Sequence, residues 1–347
     1  NKDISYLDFI MQVFKEEFTM KVNLLIENSR ELDNAGGVFT ENIFKKCSAL
    51  SLTLKGIKAD SNKINEAIKV IKNNTSIISN FRGNNLFTTA VTISYEEDMN
   101  SAFKEIDNIY NKLKNLFSSS QYLVLAAIVI FNARKRVNIE ETVRNTRAIY
   151  DNMKKNHRFL TGEEDISSAA MIAITSSNLE GTLDKIEEYY RALKENGFSS
   201  GNNLQGLSHM LPLFNGEVKE NVERVIRVEK ALKENKVPIK GTSLPLLSIA
   251  AVVTDDFNSF AEEVKDISEK LKKEKGFGSF SLGSNIRNMM ALGLAASNYA
   301  EKLNEEEKDN LINTTNNIAL TIQITIEIAM ASIVCATAAA ASTSSSN

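Results

Sequence analysis

The chain is poor in cysteine, proline and histidine, and it has no tryptophan. Its 347 residues include 2 cysteines, 3 prolines, 2 histidines and 15 glycines. Cys47 and Cys335 lie far apart and match no metal-ligand or redox spacing, so no metal site and no cofactor is predicted. So few cysteines favour a reducing compartment, and the expected location is the cytoplasm. Because proline and glycine interrupt helices, their scarcity favours long helices.

Charge and hydropathy exclude several classes of partner. The formal net charge is −3, with 43% apolar and 24% charged residues, as in ordinary globular proteins. A chain without excess positive charge gives no reason to expect a nucleic-acid or acidic-membrane partner. The N-terminal residues lack an apolar signal core followed by a small-residue cleavage site. The expected partner is therefore a protein, a peptide or a small-molecule ligand, with no nucleic acid and no membrane.

An amphipathic phrase returns about every forty residues, at residues 106–117, 146–159, 186–198, 225–235 and 264–277. Its apolar anchors are 39 or 40 residues apart: Leu113, Met153, Leu193, Leu232 and Leu271. Self-similarity at this period is typical of stacked helical hairpins. The sequence therefore predicts an all-α fold of tandem antiparallel hairpins. The period does not decide between an open α-α superhelix and a closed α/α ring.

Two kinds of helix alternate within this period. Segments at 122–131, 167–174 and 244–253 are apolar nearly all round, which predicts inner, buried helices. The segments that carry the repeated phrase have one apolar face, for example at 183–193, which predicts outer helices. The predicted organisation is one domain over residues 1–347. It consists of N-terminal capping helices at 1–80, repeats at 81–300, a C-terminal capping helix at 301–341 and a disordered tail at 342–347.

The C-terminal apolar segment, from residue 317, allows other interpretations. Isoleucine alternates with polar residues between Ile322 and Ile328, as in a strand, while the flanking alanines favour a helix. Its length also raises a transmembrane span. Gln323 and Glu327 would then lie in hydrocarbon, so a buried capping helix is favoured.

The loops after the outer helices share an aromatic residue, small hydroxyl side chains and a glycine. They occur at residues 81–85, 117–121, 159–165, 198–203, 238–243 and 276–285. One interpretation is a helix C-cap, with a left-handed glycine and the phenylalanine packed back on the preceding turn. The alternative is a ligand-binding rim, because repeat proteins concentrate function in loops on one edge.

A few polar residues depart from the repeat, and each has a structural interpretation beside a functional one. His157 lies near a helix C-terminus, where the dipole favours a cation, and His209 lies on an apolar helix, as a hydrogen-bonded core residue would. Thr161 to Glu164 has capping-box spacing, which is favoured over a metal site at Glu163, Glu164 and Asp165.

Arg82 offers a planar fork for a carboxylate or phosphate, or a brace for loop carbonyls. No nucleophile elbow, P-loop, zinc-protease helix or paired-cysteine motif is present.

Several of these phrases together resemble a known family. Residues 74–84, 147–165, 193–213 and 271–283, with FRG, FLTG and LSH in order, resemble the bacterial family catalogued as domain of unknown function 4003. The family has no established activity to carry over. The resemblance implies six candidate ligand-binding positions: Arg82, His157, Thr161, Asp165, Gln205 and His209. This chain has Arg158 where the family usually has an aromatic residue.

Two functional hypotheses follow. The favoured one is a non-catalytic binding or scaffolding module that holds its ligand on a rim or concave face. The alternative is an enzyme with a pocket between repeats, in which Arg82, His157, Asp165 and His209 converge. Their mutual geometry discriminates the two, because groups that share a catalytic step must lie within hydrogen-bond reach of one substrate.

Overall fold

A computed structural model describes residues 19–36, 41–176, 178–303 and 326. The described residues form α-helices joined by loops, with no β-strand, which confirms the all-α prediction. The helices are α1 (19–32), α2 (Asn42–Leu54), α3 (Ser61–Asn74), α4 (Asn84–Ile93), α5 (Met99–Lys114), α6 (Gln121–Ala133), α7 (Ile139–Asn156), α8 (Ile166–Thr175), α9 (Leu179–Glu195), α10 (Asn202–Met210), α11 (Val218–Glu234), α12 (Leu247–Val252), α13 (Phe257–Lys272) and α14 (Ser284–Lys302). Short 3-10 turns lie at Glu163–Asp165, Leu211–Leu213 and Gly241–Leu246.

Short polar side chains start most of the odd-numbered helices. The side chains that accept hydrogen bonds from first-turn backbone N–H groups are those of Asp60, Asp98, Asn138, Asn178 and Asp256. Each satisfies donors that a helix start leaves unpaired. Two of these caps, Asn178 and Asp256, have the short polar side chains that are typical of helix starts. Glu217 makes no such bond, and Asp255 pairs with Arg224 instead.

Even-numbered and odd-numbered helices differ in burial. In α6 ten residues are buried, and α8 and α12 are almost completely buried. The odd-numbered helices bury one face only; in α9 that face is Ile186, Tyr189, Tyr190 and Leu193. From α3 onward, each odd-numbered helix packs against the even-numbered helix that follows it. The amphipathic helices therefore cover the apolar ones.

The even-numbered helices contact one another in sequence from α2 to α14, and α14 contacts α2. Hydrogen bonds and an ion pair also join α1 to α13, to α14 and to the loop between them. Lys21 Nζ lies 3.1 Å from Ser297 Oγ, and Lys270 Nζ lies 3.0 Å from Asn23 Oδ1. Arg30 pairs with Glu274 at 2.7 Å. The first and last described helices are therefore neighbours, and the contacts of the even-numbered helices make an unbroken circuit.

The loops from α2 onward fall into two sets. We call the loops after α3, α5, α7, α9, α11 and α13 the upper rim (75–83, 115–120, 157–162, 196–201, 235–240 and 273–283). The lower rim consists of the loops after even-numbered helices (55–60, 94–98, 134–138, 176 and 178, 214–217 and 253–256). Hydrogen bonds connect neighbouring units along the upper rim: Asn80 Nδ2 to Ser119 Oγ at 3.0 Å, Asn202 Nδ2 to Glu164 Oε1 at 3.4 Å, and Asn285 to the backbone of Lys240 at 3.1 Å. Arg134 joins two lower-rim loops through Glu96 at 2.7 Å.

A buried lysine secures the contact between α2 and the loop before α14. The Lys46 side chain is 0% exposed; its Nζ lies 3.1 Å from Asp33 Oδ1 and 5.3 Å from the centroid of the Phe277 ring. Burial lowers the pKa of Lys46, which the hydrogen bond to Asp33 partly offsets. Gly276 has φ +85°, and its carbonyl accepts from Asn42 Nδ2 at 2.8 Å. The closing contact therefore depends on a glycine in a left-handed conformation.

Little of the predicted C-terminal cap lies within the described residues. Ile326 is buried, and its Cδ1 lies 3.1 Å from where a Cβ on Gly293 would stand, with Leu50 alongside. Glycine in α14 therefore admits Ile326 close to the helix. Residues 1–18 and 37–40 of the predicted N-terminal caps, residues 304–325 and 327–341 of the predicted C-terminal cap, and the tail at 342–347 lie outside the described residues, so the domain boundaries stay a prediction. Among the described residues, no helix combines the length and apolarity that a membrane span requires.

Gly276→Ala tests the closing contact. A Cβ at this position would stand 2.6 Å from Lys46 Cε, in a backbone conformation that alanine disfavours. We expect the free energy of unfolding to fall by about 1–3 kcal/mol, measured by urea denaturation. Gly278→Ala in the same loop is the matched control, since nothing lies within 4 Å of its Cβ position. Equal stability of the two variants would contradict this account of the contact.

Candidate functional site

Thr161 and Gln205 join the upper rim to the first turn of α10. Gln205 Nε2 donates to Thr161 Oγ1 at 3.0 Å. Gln205 is 0% exposed and Thr161 is 5% exposed. This buried contact links the loop before α8 with α10, so two of the six predicted positions meet directly.

Gln205 and His209 carry buried polar atoms without partners. Gln205 Oε1 and both ring nitrogens of His209 accept or donate no hydrogen bond in the part of the chain that the structure describes. The two residues are four positions apart on α10 and therefore share one helix face. Since nearly all buried polar groups in proteins are paired, three unpaired atoms on one face require an explanation. His209 is a core residue, as predicted, but neither of its ring nitrogens has a hydrogen-bond partner among the described residues.

The environment of His209 keeps its imidazole neutral. Burial lowers the pKa of His209 to about 3, and the positive charge of protonated His157 disfavours its protonation further. At neutral pH one ring nitrogen therefore carries a hydrogen and can donate, and the other can accept. The site offers hydrogen bonds without offering charge.

His157 occupies the position of an aromatic residue. It caps the C-terminus of α7, and its Nε2 lies 3.0 and 3.1 Å from the two carboxylate oxygens of Glu187. Its ring centroid lies 4.4 Å from that of Tyr190, as Phe117 lies 5.3 Å from Tyr150 one period earlier. The aromatic position of this loop is therefore filled by His157. The place of Glu187 on the polar face of α9 suggests a solvated residue. In the structure Glu187 instead pairs with His157.

Asp165 is a cap, one residue later than the predicted one. Its Oδ2 accepts from the backbone N–H of Gly162 at 2.9 Å, whereas the spacing pointed to Thr161 and Glu164. The shift frees Thr161 to contact Gln205. Burial raises the pKa of Asp165 to about 7, although the residue as a whole remains partly exposed.

Arg82 braces the end of α3. Its Nε lies 2.9 Å from Thr75 Oγ1, and its terminal nitrogen lies 2.8 Å from the carbonyl oxygens of both Lys72 and Thr75. Among the described residues it makes no hydrogen bond or ion pair with the other five predicted positions. The contacts agree with a structural brace, so the cluster consists of Thr161, Gln205 and His209, with His157 nearby.

Ser243 escaped the sequence prediction. It lies on the 3-10 turn Gly241–Leu246, which packs on α10, where Pro245 comes within 3.0 Å of a Cβ position on Gly206. Ser243 is 0% exposed, and its Oγ has no partner among the described residues. The serine stands in a loop-like phrase, so the sequence does not signal that it is buried. No group of three metal-binding side chains occurs in the described part of the chain.

The buried His209 predicts an acid-sensitive contribution to stability. Below pH 6.5 the unfolded chain protonates this residue, while the folded protein does not until about pH 3. The contribution to stability is therefore complete above pH 6.5 and falls by about 1.4 kcal/mol per pH unit below it. When the pH is lowered from 7.5 to 5, the free energy of unfolding of His209→Gln should rise by about 2 kcal/mol relative to that of the wild type, as measured by urea denaturation. The stability of Ser208→Ala, on the same helix, should change with pH as that of the wild type does. The same pH dependence in His209→Gln would refute the assignment.

Asp165 should act in the opposite direction. The pKa of Asp165 is about 7 in the folded protein, against the ordinary value of 3.8. Between these values the folded state holds a proton that the unfolded state releases. Stability therefore falls as pH rises from about 4 to 7. Asp165→Asn keeps an acceptor for Gly162, and we expect it to stabilise the protein at pH 8 by on the order of 1–2 kcal/mol, less than the full shift because water screens the partly exposed residue.

Asp256→Asn is the matched control for Asp165→Asn. Asp256 is also an N-cap, but hydrogen bonds from Ser259 lower its pKa, so its replacement should destabilise the protein at pH 8. Thermal unfolding measures both variants, and a loss of stability in both would contradict a desolvated Asp165.

Comparison with known proteins places the chain in a family. The model of the family described as protein of unknown function (DUF4003) matches residues 28–329. The chain is also similar to an uncharacterized protein, YeaA, of Bacillus subtilis (strain 168), with 25% identity over 237 residues, covering 67% of this chain and 70% of the relative. No solved structure matches. The match over most of its length shows that this chain belongs to the DUF4003 family.

Proposed function

We propose that this protein is a non-catalytic binding module that takes a small, uncharged ligand at Thr161, Gln205 and His209. The observation that carries the proposal is the set of three buried, unpartnered atoms on one face of α10. Leaving such atoms unpaired costs about 1–3 kcal/mol per group. A ligand that hydrogen-bonds to them recovers this cost, which explains why polar residues stand in an otherwise apolar helix.

The chemistry of the site favours an uncharged ligand. His209 is neutral, Gln205 and Thr161 carry no charge, and the carboxylate of Glu187 already contacts His157. An ion brought into this environment would lose its hydration without gaining a counter-charge. A ligand with hydroxyl or amide groups would instead match an acceptor on Gln205 with a donor and an acceptor on His209.

Catalysis is disfavoured by the same groups. A general base works best with a pKa near the operating pH, whereas the pKa of His209 is about 3. Asp165 has a pKa of about 7, but its Oδ2 is held by Gly162. Arg82 uses its fork on the end of α3. The convergence that the enzyme hypothesis requires therefore has no support among these residues.

We further propose that the helices are repeated hairpins closed into a ring and that the protein works in the cytoplasm. The ring is supported by the circuit of contacts from α2 through α14 and back to α2. The cytoplasmic location is supported by the low cysteine content. Cys47 is buried and forms no disulfide within the described part of the chain. Protein scaffolding is compatible with the ligand site, since Thr161 is buried and the exposed residues of the rims remain available.

A thermal-shift screen with neutral sugars, nucleosides and amides tests the ligand site. A ligand at 100 times its dissociation constant should stabilise the wild type by about 2.7 kcal/mol. His209→Leu should be more stable than the wild type without ligand, because it removes two unpaired nitrogens, and should show no shift with ligand.

Thr89→Val is the matched control. Thr89 is a buried polar residue of α4 whose Oγ1 has a partner, the carbonyl of Asn85, at 2.7 Å. This variant should lose about 1 kcal/mol and keep the ligand shift. The proposal fails if His209→Leu is destabilised as much as Thr89→Val, or if charged compounds alone stabilise the wild type.

A further inference from the structure

Large apolar side chains are exposed mainly at one rim. Of the six that are exposed in the described residues, five belong to the upper rim: Ile77 (87%), Ile78 (93%), Leu116 (39%), Phe159 (97%) and Phe280 (108%). The sixth, Met20, lies at the beginning of the described part of α1. The lower-rim loops expose no large apolar side chain among their described residues.

These side chains are not needed for packing. In the same loops the aromatic positions that pack back on the helices are already filled, by Phe81 at 1% exposure, Phe117 at 9% and Phe277 at 0%. Phe280 follows Phe277 by three residues, and Phe159 follows His157, which takes the aromatic position against Tyr190. Phe159 and Phe280 are therefore additional aromatic residues that point into solvent from separate loops.

The upper rim is also basic. Its loops contain six basic residues, Arg82, Arg158, Lys236, Lys240, Lys273 and Lys275, and one acidic residue, Glu274, which pairs with Arg30. Apart from Arg82, these basic residues are exposed and form no ion pair among the described residues. Glu163 and Glu164 are the acidic residues that follow directly. The lower-rim loops are acidic on balance, with five basic and seven acidic side chains.

We propose that the upper rim docks onto the surface of an anionic lipid bilayer. Single apolar side chains on separate loops can enter the interfacial region, while lysine and arginine beside them attract acidic headgroups. A protein partner would call for a contiguous, packed apolar patch, whereas these side chains belong to four separate loops. The net charge of −3 gave no hint of this surface, because acidic residues elsewhere in the chain outweigh the basic residues of the upper rim.

Vesicle co-sedimentation of the full chain tests the proposal. The vesicles contain phosphatidylcholine alone, or equal parts of phosphatidylcholine and phosphatidylglycerol. We expect the wild type to bind the anionic vesicles at low salt and to be released from them by added salt. It should not bind the neutral vesicles.

Paired variants assign the surface. Lys236→Gln with Lys240→Gln should weaken vesicle binding about 25-fold, at about 5-fold for each charge. Phe159→Ser with Phe280→Ser should weaken it at unchanged charge. Lys135→Gln with Arg136→Gln removes the same charge from exposed positions of the lower rim and should leave binding unchanged. All substituted residues are exposed, so circular dichroism should show intact helices.

Two results would overturn the proposal. If the wild type does not sediment with anionic vesicles at low salt, the rim does not recognise lipid and a partner with an acidic protein surface becomes the explanation. If the lower-rim variant loses as much binding as the upper-rim variants, the attraction is not located at the upper rim.

Discussion

The structure depends on covering helices that are apolar on every side. Helices such as α6 and α12 have no face suited to water, so each needs neighbours all round. An amphipathic odd-numbered helix covers one side, and the adjacent even-numbered helices cover two more. A row of such helices leaves an uncovered side at each end. The contact of α14 with α2, supported by Lys46 and Gly276, removes both ends at once.

The same arrangement separates the possible functions in space. Because each odd-numbered helix from α3 onward packs on the even-numbered helix that follows it, the connecting loops alternate between the upper and the lower rim, where side chains need not pack and are free to interact. Polar residues within the even-numbered helices have the opposite situation, since every unpaired atom there costs stability. Gln205 and His209 are in this costly position. Acid lowers the stability of the protein through His209, and alkali lowers it through Asp165. Between about pH 4 and 6.5 the two effects on stability therefore oppose each other.

Periodicity and caps were predictable from the sequence, while partners of individual side chains were not. The all-α fold, the buried helices near α6 and α8, and the caps at Asn178 and Asp256 follow from local pattern. The cap at Asp165 was misplaced by one residue, because Thr161 has a distant partner in Gln205. The sequence permits Arg82 to bind an anion, but in the structure its guanidinium group donates hydrogen bonds to Thr75 and Lys72. Ser243 and Glu187 gain their roles only through tertiary contacts, which spacing along the chain does not encode.

The central claim is that His209 is a neutral, unpaired hydrogen-bonding group in the core. The most direct test is a pH titration of the nitrogen-15 resonances of its imidazole ring in the folded protein. The account predicts one protonated and one bare ring nitrogen at every pH from 7.5 down to about 4, consistent with a pKa of about 3. Protonation of His209 near its ordinary pKa of 6.5 would contradict the account, because it would place the ring in contact with water.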